Sequence, residues 1–278
     1  MKGAALLLAL CLSAGAATAD VARPRDLDTL LSVLQNAVIA TGDATEVQIR
    51  DEKLHLTWKG TALIADPHNL FMEMQRATND AERQELVDTY LAAFDDMLRL
   101  DTGILAPASL MPIIRPSNFA EHQPKTKALA SEPWFAGLSI YLVEDSPSST
   151  AYLQASRMQA AGLDFAAAKK IALENLAKRS PRFEPLGPKR WGLVLDGYYE
   201  SSLLLDSELW RRMAEDQGEV IMVVPNRDLV VVDASGAPEA VAQLARFAQE
   251  VNETRPYPVS TYVFGWKGTH WEILPAQQ

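Results

Sequence analysis

The spacing of apolar positions changes along the chain, and each change marks an expected element. Asp26 precedes LDTLLSVLQNAVIATG. There Leu27, Leu30, Leu31, Leu34 and Val38 recur at the spacing of one helix face, and Gly42 ends the run. The period then drops to two in EVQIRDEKLHLTW: Val47 and Ile49, then Leu54, Leu56 and Trp58, with Asp51 to Lys53 as a hairpin turn. TALIA makes a short third strand, and His68-Asn69 leads into LFMEMQRA. Asn79 followed by Glu82 has the form of a capping box. Behind it Leu86, Val87, Tyr90, Leu91, Phe94, Met97 and Leu98 form one apolar stripe. Residues 20–100 therefore read as a small α-β-β-β-α-α domain.

Between residues 101 and 136 the pattern breaks. Pro107, Pro112, Pro116, Pro124 and Pro133 exclude a continuous helix or a central strand. The stretch is expected to be a proline-rich connector, packed through its apolar core LMPIIRP. Residues 137–278 are richer in strand signals. GLSIYLVED is a strand ending in Glu144 and Asp145, a polar SPSST loop follows, and Asp164 caps the helix FAAAKKIALENLAK. In WGLVLDGYYESSLLL, Asp196-Gly197 between two strand-like runs is a hairpin signal that places Tyr198 to Leu205 in a strand. Asp206 caps SELWRRMAED. VIMVVPNRDLVVVD is a second hairpin, with Pro225 suited to the second position of a type I turn. A helix from Pro238 to about Val251 and a last hairpin turning near Lys267-Gly268 complete the chain. The expected fold is α+β: a small N-terminal domain (20–100), the connector (101–136), and a C-terminal domain (137–278). The last is built on a larger mixed, mainly antiparallel sheet with helices on one face.

The first twenty residues, MKGAALLLALCLSAGAATAD, follow a different logic. Lys2 supplies a positive start, Gly3 to Leu12 is apolar but too short for a stop-transfer helix, and Ala17-Thr18-Ala19 is a small-residue cleavage site. Together they read as a secretory signal peptide cut before Asp20, so the protein is expected to be exported, periplasmic or extracellular. Cys11, the only cysteine, would leave with it, and Leu10 before it is too large for a lipid-attachment motif. The mature chain then has no disulfide, thiolate metal site or cysteine nucleophile. Removing Lys2 takes one from the 26 basic residues, against 36 acidic ones, and shifts the formal charge from −10 to −11. That balance argues against nucleic acid and disfavours anionic lipid as partners. No later run approaches the ~18 apolar residues of a membrane span.

Candidate chemistry is sparse. His55, His68, His122 and His270 show no metal-ligand spacing. Phosphate-loop, dinucleotide and nucleophile-elbow glycine motifs are absent, so no cofactor or metal is expected. Ser201 and Ser202 have no local base. Five charged residues remain as candidates for gripping a ligand: Arg115, Asp145, Glu200, Arg227 and Asp228. Arg227 is expected to tie to Asp145 or Glu200, or to form an anion site with Arg115, because guanidinium forks suit carboxylate and phosphate. Two functions are consistent with this inventory. One is a non-enzymatic binding or interaction module, for a small molecule or protein, using an aromatic surface of Tyr198, Tyr199, Tyr262, Trp266 and Trp271. The other is a hydrolase using carboxylates from Asp145, Glu200 and Asp228 on an anionic substrate.

Five motifs occur in order: LMPIIRP, GLSIYLVED, AAAKKIALENL, LDGYYESSLLLD with its tryptophan helix, and VVPNRDLVVV. This series resembles the YtpQ-like family of bacterial proteins, domain-of-unknown-function family 1444, as does HNLFMEMQRATNDAERQELVDTYL. The resemblance covers about residues 68–250, and the positions matching its motifs are Asn69, Arg115, Asp145, Asn175, Glu200, Ser201, Pro225, Arg227 and Asp228. It implies an α+β fold and brings no reaction with it. Family members are mostly cytoplasmic, and a signal peptide departs from that.

Overall fold

A computed structural model describes residues 22–102, 104–122, 128–146 and 150–275. The signal peptide expected at residues 1–19 lies outside them, as does part of the polar loop after Asp145. Helix α1 (Leu27–Ala40) starts where the Asp26 carboxylate accepts the Thr29 N–H at 2.8 Å. Strands β1 (Ala44–Arg50), β2 (Lys53–Trp58) and β3 (Thr61–Ala65) form an antiparallel sheet in that order. Helices α2 (His68–Arg76) and α3 (Asp80–Thr102) follow. The Asn79 side chain accepts the Glu82 N–H at 2.9 Å, and the Glu82 carboxylate answers at the Thr78 N–H. Leu30, Leu31 and Leu34 of α1 pack on Leu54, Leu56 and Trp58 of β2, and Met74, Val87 and Phe94 of α2 and α3 close this core. The helical faces and the alternation of β2 converge there, whereas the expected Val47–Ile49 alternation of β1 is broken by a register shift between Thr45 and Gln48, and Ile49 is left exposed.

The stretch expected as a connector contributes two strands. Strand β4 (Leu110–Pro116) and short β5 (Ser131–Pro133) pair with β6 (Leu138–Asp145), and β7 (Thr150–Tyr152) pairs with the end of β6. In the sheet order β4 lies at an edge, so Pro112 and Pro116 can sit in the strand without breaking a second ladder. Helices α4 (Ala155–Ala160) and α5 (Phe165–Leu176) come next. A six-stranded antiparallel sheet contains β8 (Arg182–Gly187) and β9 (Arg190–Val194). After helix α6 (Ser207–Gln217) come β10 (Ile221–Asn226) and β11 (Leu229–Asp233). Helix α7 (Ala240–Thr254), β12 (Val263–Trp266) and β13 (Trp271–Leu274) end the chain. Its strand order is β13-β12-β10-β11-β9-β8.

The fold is thus α+β as expected, with the C-terminal part divided between two sheets. Alternation explains the layering. Met222, Val224, Val230 and Val232 face a core shared with Met111, Ile113 and Tyr141 of the four-stranded sheet. Their neighbours Ile221, Val223 and Val231 face Leu244 and Ala248 of α7. On the far side of the four-stranded sheet, Leu110 and Leu142 meet Met158, Ala168 and Ala172 of α4 and α5. Helix α7 thus covers one face of the six-stranded sheet, while Trp210 and Met213 of α6 join the core on its other face.

Three local expectations are corrected. Residues Ser201–Leu205 form a 3₁₀ helix, not a strand. The Asp196 carboxylate accepts the N–H groups of Tyr198 and Tyr199, and Glu200 accepts those of Leu195 and Gly197. Side chains thereby capture the donors that a hairpin ladder needs. Pro225 lies within β10, where the register shifts between Val223 and Asn226, and the turn falls on Arg227 and Asp228. The aromatic surface is largely interior: Tyr199, Trp266 and Trp271 belong to the core, whereas Tyr198 and Tyr262 are 44% and 48% exposed. Among the described residues no helix is long and apolar enough to cross a membrane.

Candidate functional site

Arg227 is fixed by its backbone before its side chain is considered. Its N–H donates to the Tyr257 carbonyl and its own carbonyl accepts the Ser201 N–H, both at 3.0 Å. The β10–β11 turn is thus pinned between the Glu200–Ser201 segment and the loop after α7. The guanidinium lies 3.7 Å from the Tyr257 ring centroid and 4.6 Å from that of Tyr198. A cation held over two aromatic faces is stabilised by about 0.5–2 kcal/mol per face, depending on desolvation.

Tyr257 sits between Pro256 and Pro258 with φ of +57°, a conformation rare for a bulky residue. The Arg227 N–H bond to its carbonyl anchors this segment, and such strain concentrates at functional sites. The Tyr257 hydroxyl faces the carboxylate of Glu73 on α2. Burial pushes the Glu73 carboxyl up, partly offset by the Arg227 charge and the Tyr257 hydroxyl. Burial also raises the Tyr90 and Tyr257 phenols, so both carry their protons at neutral pH.

These groups line a cavity of about 560 Å³ between α2 and α3 on one side and Tyr198, Arg227 and Tyr257 on the other. Small-molecule sites commonly have volumes of roughly 300–1,000 Å³. Buried Tyr90 Oη and Arg227 Nε, both on residues of this wall, have no hydrogen-bond partner among the described residues. Arg227 also makes no ion pair there. Unpartnered buried polar atoms are uncommon and call for a physical reason.

The other candidate residues are distributed as follows. Arg115 is buried, donates its Nε–H to the Tyr152 hydroxyl at 2.8 Å, and lies 6.0 Å from the Tyr257 centroid. It reaches toward Tyr257 but does not line the cavity. Asp145 accepts from the Tyr199 hydroxyl at 2.8 Å and Arg179 Nη2 at 3.0 Å. Glu200 is spent on the backbone turn described above. Asp228 Oδ2 pairs with Arg255 at 3.4 Å. The expected tie from Arg227 to Asp145 or Glu200 is therefore absent: those carboxylates have nearer donors, and the guanidinium stacks on tyrosines. The three carboxylates of the hydrolase reading each have a different partner, and none of the three lines the cavity. Among the described residues no cluster of histidine, cysteine or carboxylate side chains is placed to hold a metal.

Sequence reasoning missed Glu73, Tyr90 and Tyr257. Glu73 was detectable, because it falls on the same helix face as buried Leu70 and Met74. A carboxylate on an apolar face signals either a buried partner or a site. Tyr257 gave only the weaker signal of a tyrosine between two prolines.

Together these features define an antiparallel α+β protein with a polar cleft between its N-terminal helices and the loops of its C-terminal sheet. The chain is similar to a UPF0354 protein of Listeria monocytogenes serotype 4b, 24% identical over 129 residues. That match covers 45% of this chain and 48% of the relative. It is also similar to a UPF0354 protein of Staphylococcus haemolyticus, 23% identical over 171 residues and covering 59% of each chain. The chain thus spans only about half the length of these curated relatives, whose names denote an uncharacterised bacterial family. No family model matches the chain, and no solved structure matches it.

Proposed function

We propose that this is an exported, non-enzymatic binding protein that takes a small polar molecule into the cleft between α2–α3 and the β10–β11 turn, with Arg227 as the principal grip. One observation carries the reading: a guanidinium held against two tyrosine faces on the wall of a cavity, with a buried Nε–H and no ion-pair partner among the described residues. A charge-assisted hydrogen bond to a ligand would satisfy that donor. Tyr198, Tyr257 and the apolar stem of Leu70 offer contact area around it. Export rests on the composition of residues 1–20. Kinship with YtpQ-like proteins rests on the order of the short motifs; the two distant relatives support membership of an uncharacterised bacterial family.

Ligand binding is tested by a thermal-shift screen of polar metabolites on the protein starting at Asp20. A ligand that binds the folded state raises the melting temperature. Arg227→Ala should abolish that rise, and a rise unchanged in the variant would place the ligand elsewhere. For export, the intact mass of protein from the native host should begin at Asp20. A cytoplasmic species keeping residues 1–19 would refute it.

A further inference from the structure

The cleft holds opposite charges that share a wall without touching. Arg227 and Glu73 interact through space, yet they form no ion pair. In a partly buried site such a pair gains from contact, because the low local dielectric strengthens attraction. Here Arg227 is held by its two tyrosine faces, and Glu73 stands on the α2 wall of the same cavity, facing the Tyr257 hydroxyl. The same tyrosine thus meets both charged groups, and the Arg227 N–H bond to its carbonyl holds its backbone.

The lining argues against a simple ion of either sign. Asp66, Glu73, Glu82 and Glu85 stand against Arg76 and Arg227 around the cavity. A plain anion would meet the carboxylates, and a plain cation would meet the guanidinium. We infer that the ligand is a zwitterion of the α-amino acid type, with its carboxylate on Arg227 and its ammonium on Glu73. This rests on the cleft being a ligand site. Such a ligand supplies, on one carbon, the two charges that the wall keeps apart, and the remaining volume beside Asn69 and Thr89 receives its side chain.

Glu73 also reports which end of the ligand approaches it. Burial raises its carboxyl, and the groups facing it are Arg227 and Asp228 of the turn, Tyr257 of the loop after α7, and Arg76 on its own helix. An ammonium beside Glu73 favours the carboxylate, so binding releases a proton. A plain anion favours the acid, so binding takes one up.

The experiment is calorimetric titration of the protein starting at Asp20 with three probe sets. These are L-amino acids, carboxylates lacking an amine such as succinate and propionate, and amines lacking a carboxylate such as putrescine. Each is run in two buffers of different ionisation enthalpy, at a pH between the ordinary glutamate value and neutrality. The expected result is binding by at least one amino acid, with proton release, and about tenfold or more loss of affinity in each of Arg227→Gln and Glu73→Gln. The proton count comes from the unsubstituted protein and does not depend on the variants folding. Equal binding of amine-free carboxylates, with proton uptake, overturns the zwitterion and leaves the cleft reading intact. Amino-acid binding indifferent to Arg227→Gln overturns the cleft reading. Failure of all L-amino acids to bind overturns the zwitterion assignment.

Discussion

Glu200 offers a sharp test of how the cleft is held in shape. It is 2% exposed, and its Oε1 accepts the N–H groups of Leu195 and Gly197, each at 2.8 Å. Those bonds close the turn that carries Tyr198 over Arg227. Glu200→Ala removes the acceptor from both donors. A hydrogen bond to a charged group is worth about 1.5–3 kcal/mol, and an orphaned donor costs about 1–3 kcal/mol when buried. Leu195 and Gly197 are only half-buried, so water recovers part of that loss. Glu200 Oε2 has no donor among the described residues, and removing a desolvated carboxylate returns some free energy. The net expectation is a loss of about 2–4 kcal/mol.

Glu200→Gln keeps a carbonyl acceptor in place and should cost about 1 kcal/mol. Urea unfolding at neutral pH measures both, read as a shift in midpoint at constant slope. Two results would refute the reasoning. An alanine variant within about 0.5 kcal/mol of the parent would mean the turn does not depend on the carboxylate. A glutamine variant as damaged as the alanine one would mean that charge, and not acceptor geometry, sets the effect.

Asp233 is 1% exposed; burial pushes its carboxyl up, but the Ser235 hydroxyl and N–H and the Arg190 guanidinium outweigh this and hold it below the usual value. Its stability contribution is therefore present above about pH 4 and lost as pH falls through the lower folded value, so Asp233→Asn should flatten the acid limb of a stability–pH curve; a parallel limb refutes this. Glu73 has the opposite sign: its raised carboxyl makes ionisation a cost to the folded state, felt as pH rises through the folded value. Glu73→Gln should raise the melting temperature of the ligand-free protein at neutral pH and lose that advantage in acid; stabilisation equal at both pH values would exclude the ionisation argument. The Asp164 carboxylate accepts the Ala167 N–H at 2.7 Å at the start of α5, so Asp164→Ala should cost about 1 kcal/mol in urea unfolding, and no measurable change would show that α5 is held by packing alone.

The sequence was most readable where one residue property sets one geometry. Alternation in IMVVPN and LVVVD required two buried faces, and the two cores on either side of β10 and β11 are those faces. Asp26, Asp164 and Asp206 cap helices because a short carboxylate reaches the free N–H groups of the first turn. Reading failed where a residue type serves two geometries. Asp196-Gly197 suits a tight hairpin, but Asp196 and Glu200 reach neighbouring N–H groups and wind the chain into a 3₁₀ turn. Proline argued against strand in LMPIIRP, yet an edge strand tolerates it, and edge status is a property of the sheet. The site was legible only in part. Arg227 stood out as an arginine that turn chemistry does not need. Its neighbours Glu73 and Tyr257 lie far away in the chain, and charge complementarity alone pointed to the wrong partners.

The distribution of local irregularities supports the cleft as the place where fold stability yields to function. Buried polar atoms without partners include Tyr90 Oη, Glu200 Oε2, Ser201 Oγ, Asn226 Oδ1, Arg227 Nε and Asp228 Oδ1. Most belong to the β10–β11 turn or to the segment bonded to it, and Tyr90 faces the turn across the cavity. The left-handed Tyr257 lies in the same shell. Chance placement would scatter such costs over both cores, because each orphaned atom is destabilising wherever it occurs. Of these residues Tyr90 and Arg227 line the cavity, and the others sit in the turn that carries Arg227 or in the segment bonded to it, which is where pre-organisation requires such costs. Side chains that a ligand will later satisfy must be held apart beforehand, and rigid supports such as the Arg115-flanked Tyr257 ring keep them from collapsing onto each other. A turn needed only to reverse the chain would have no use for an arginine that its own neighbours leave unpaired.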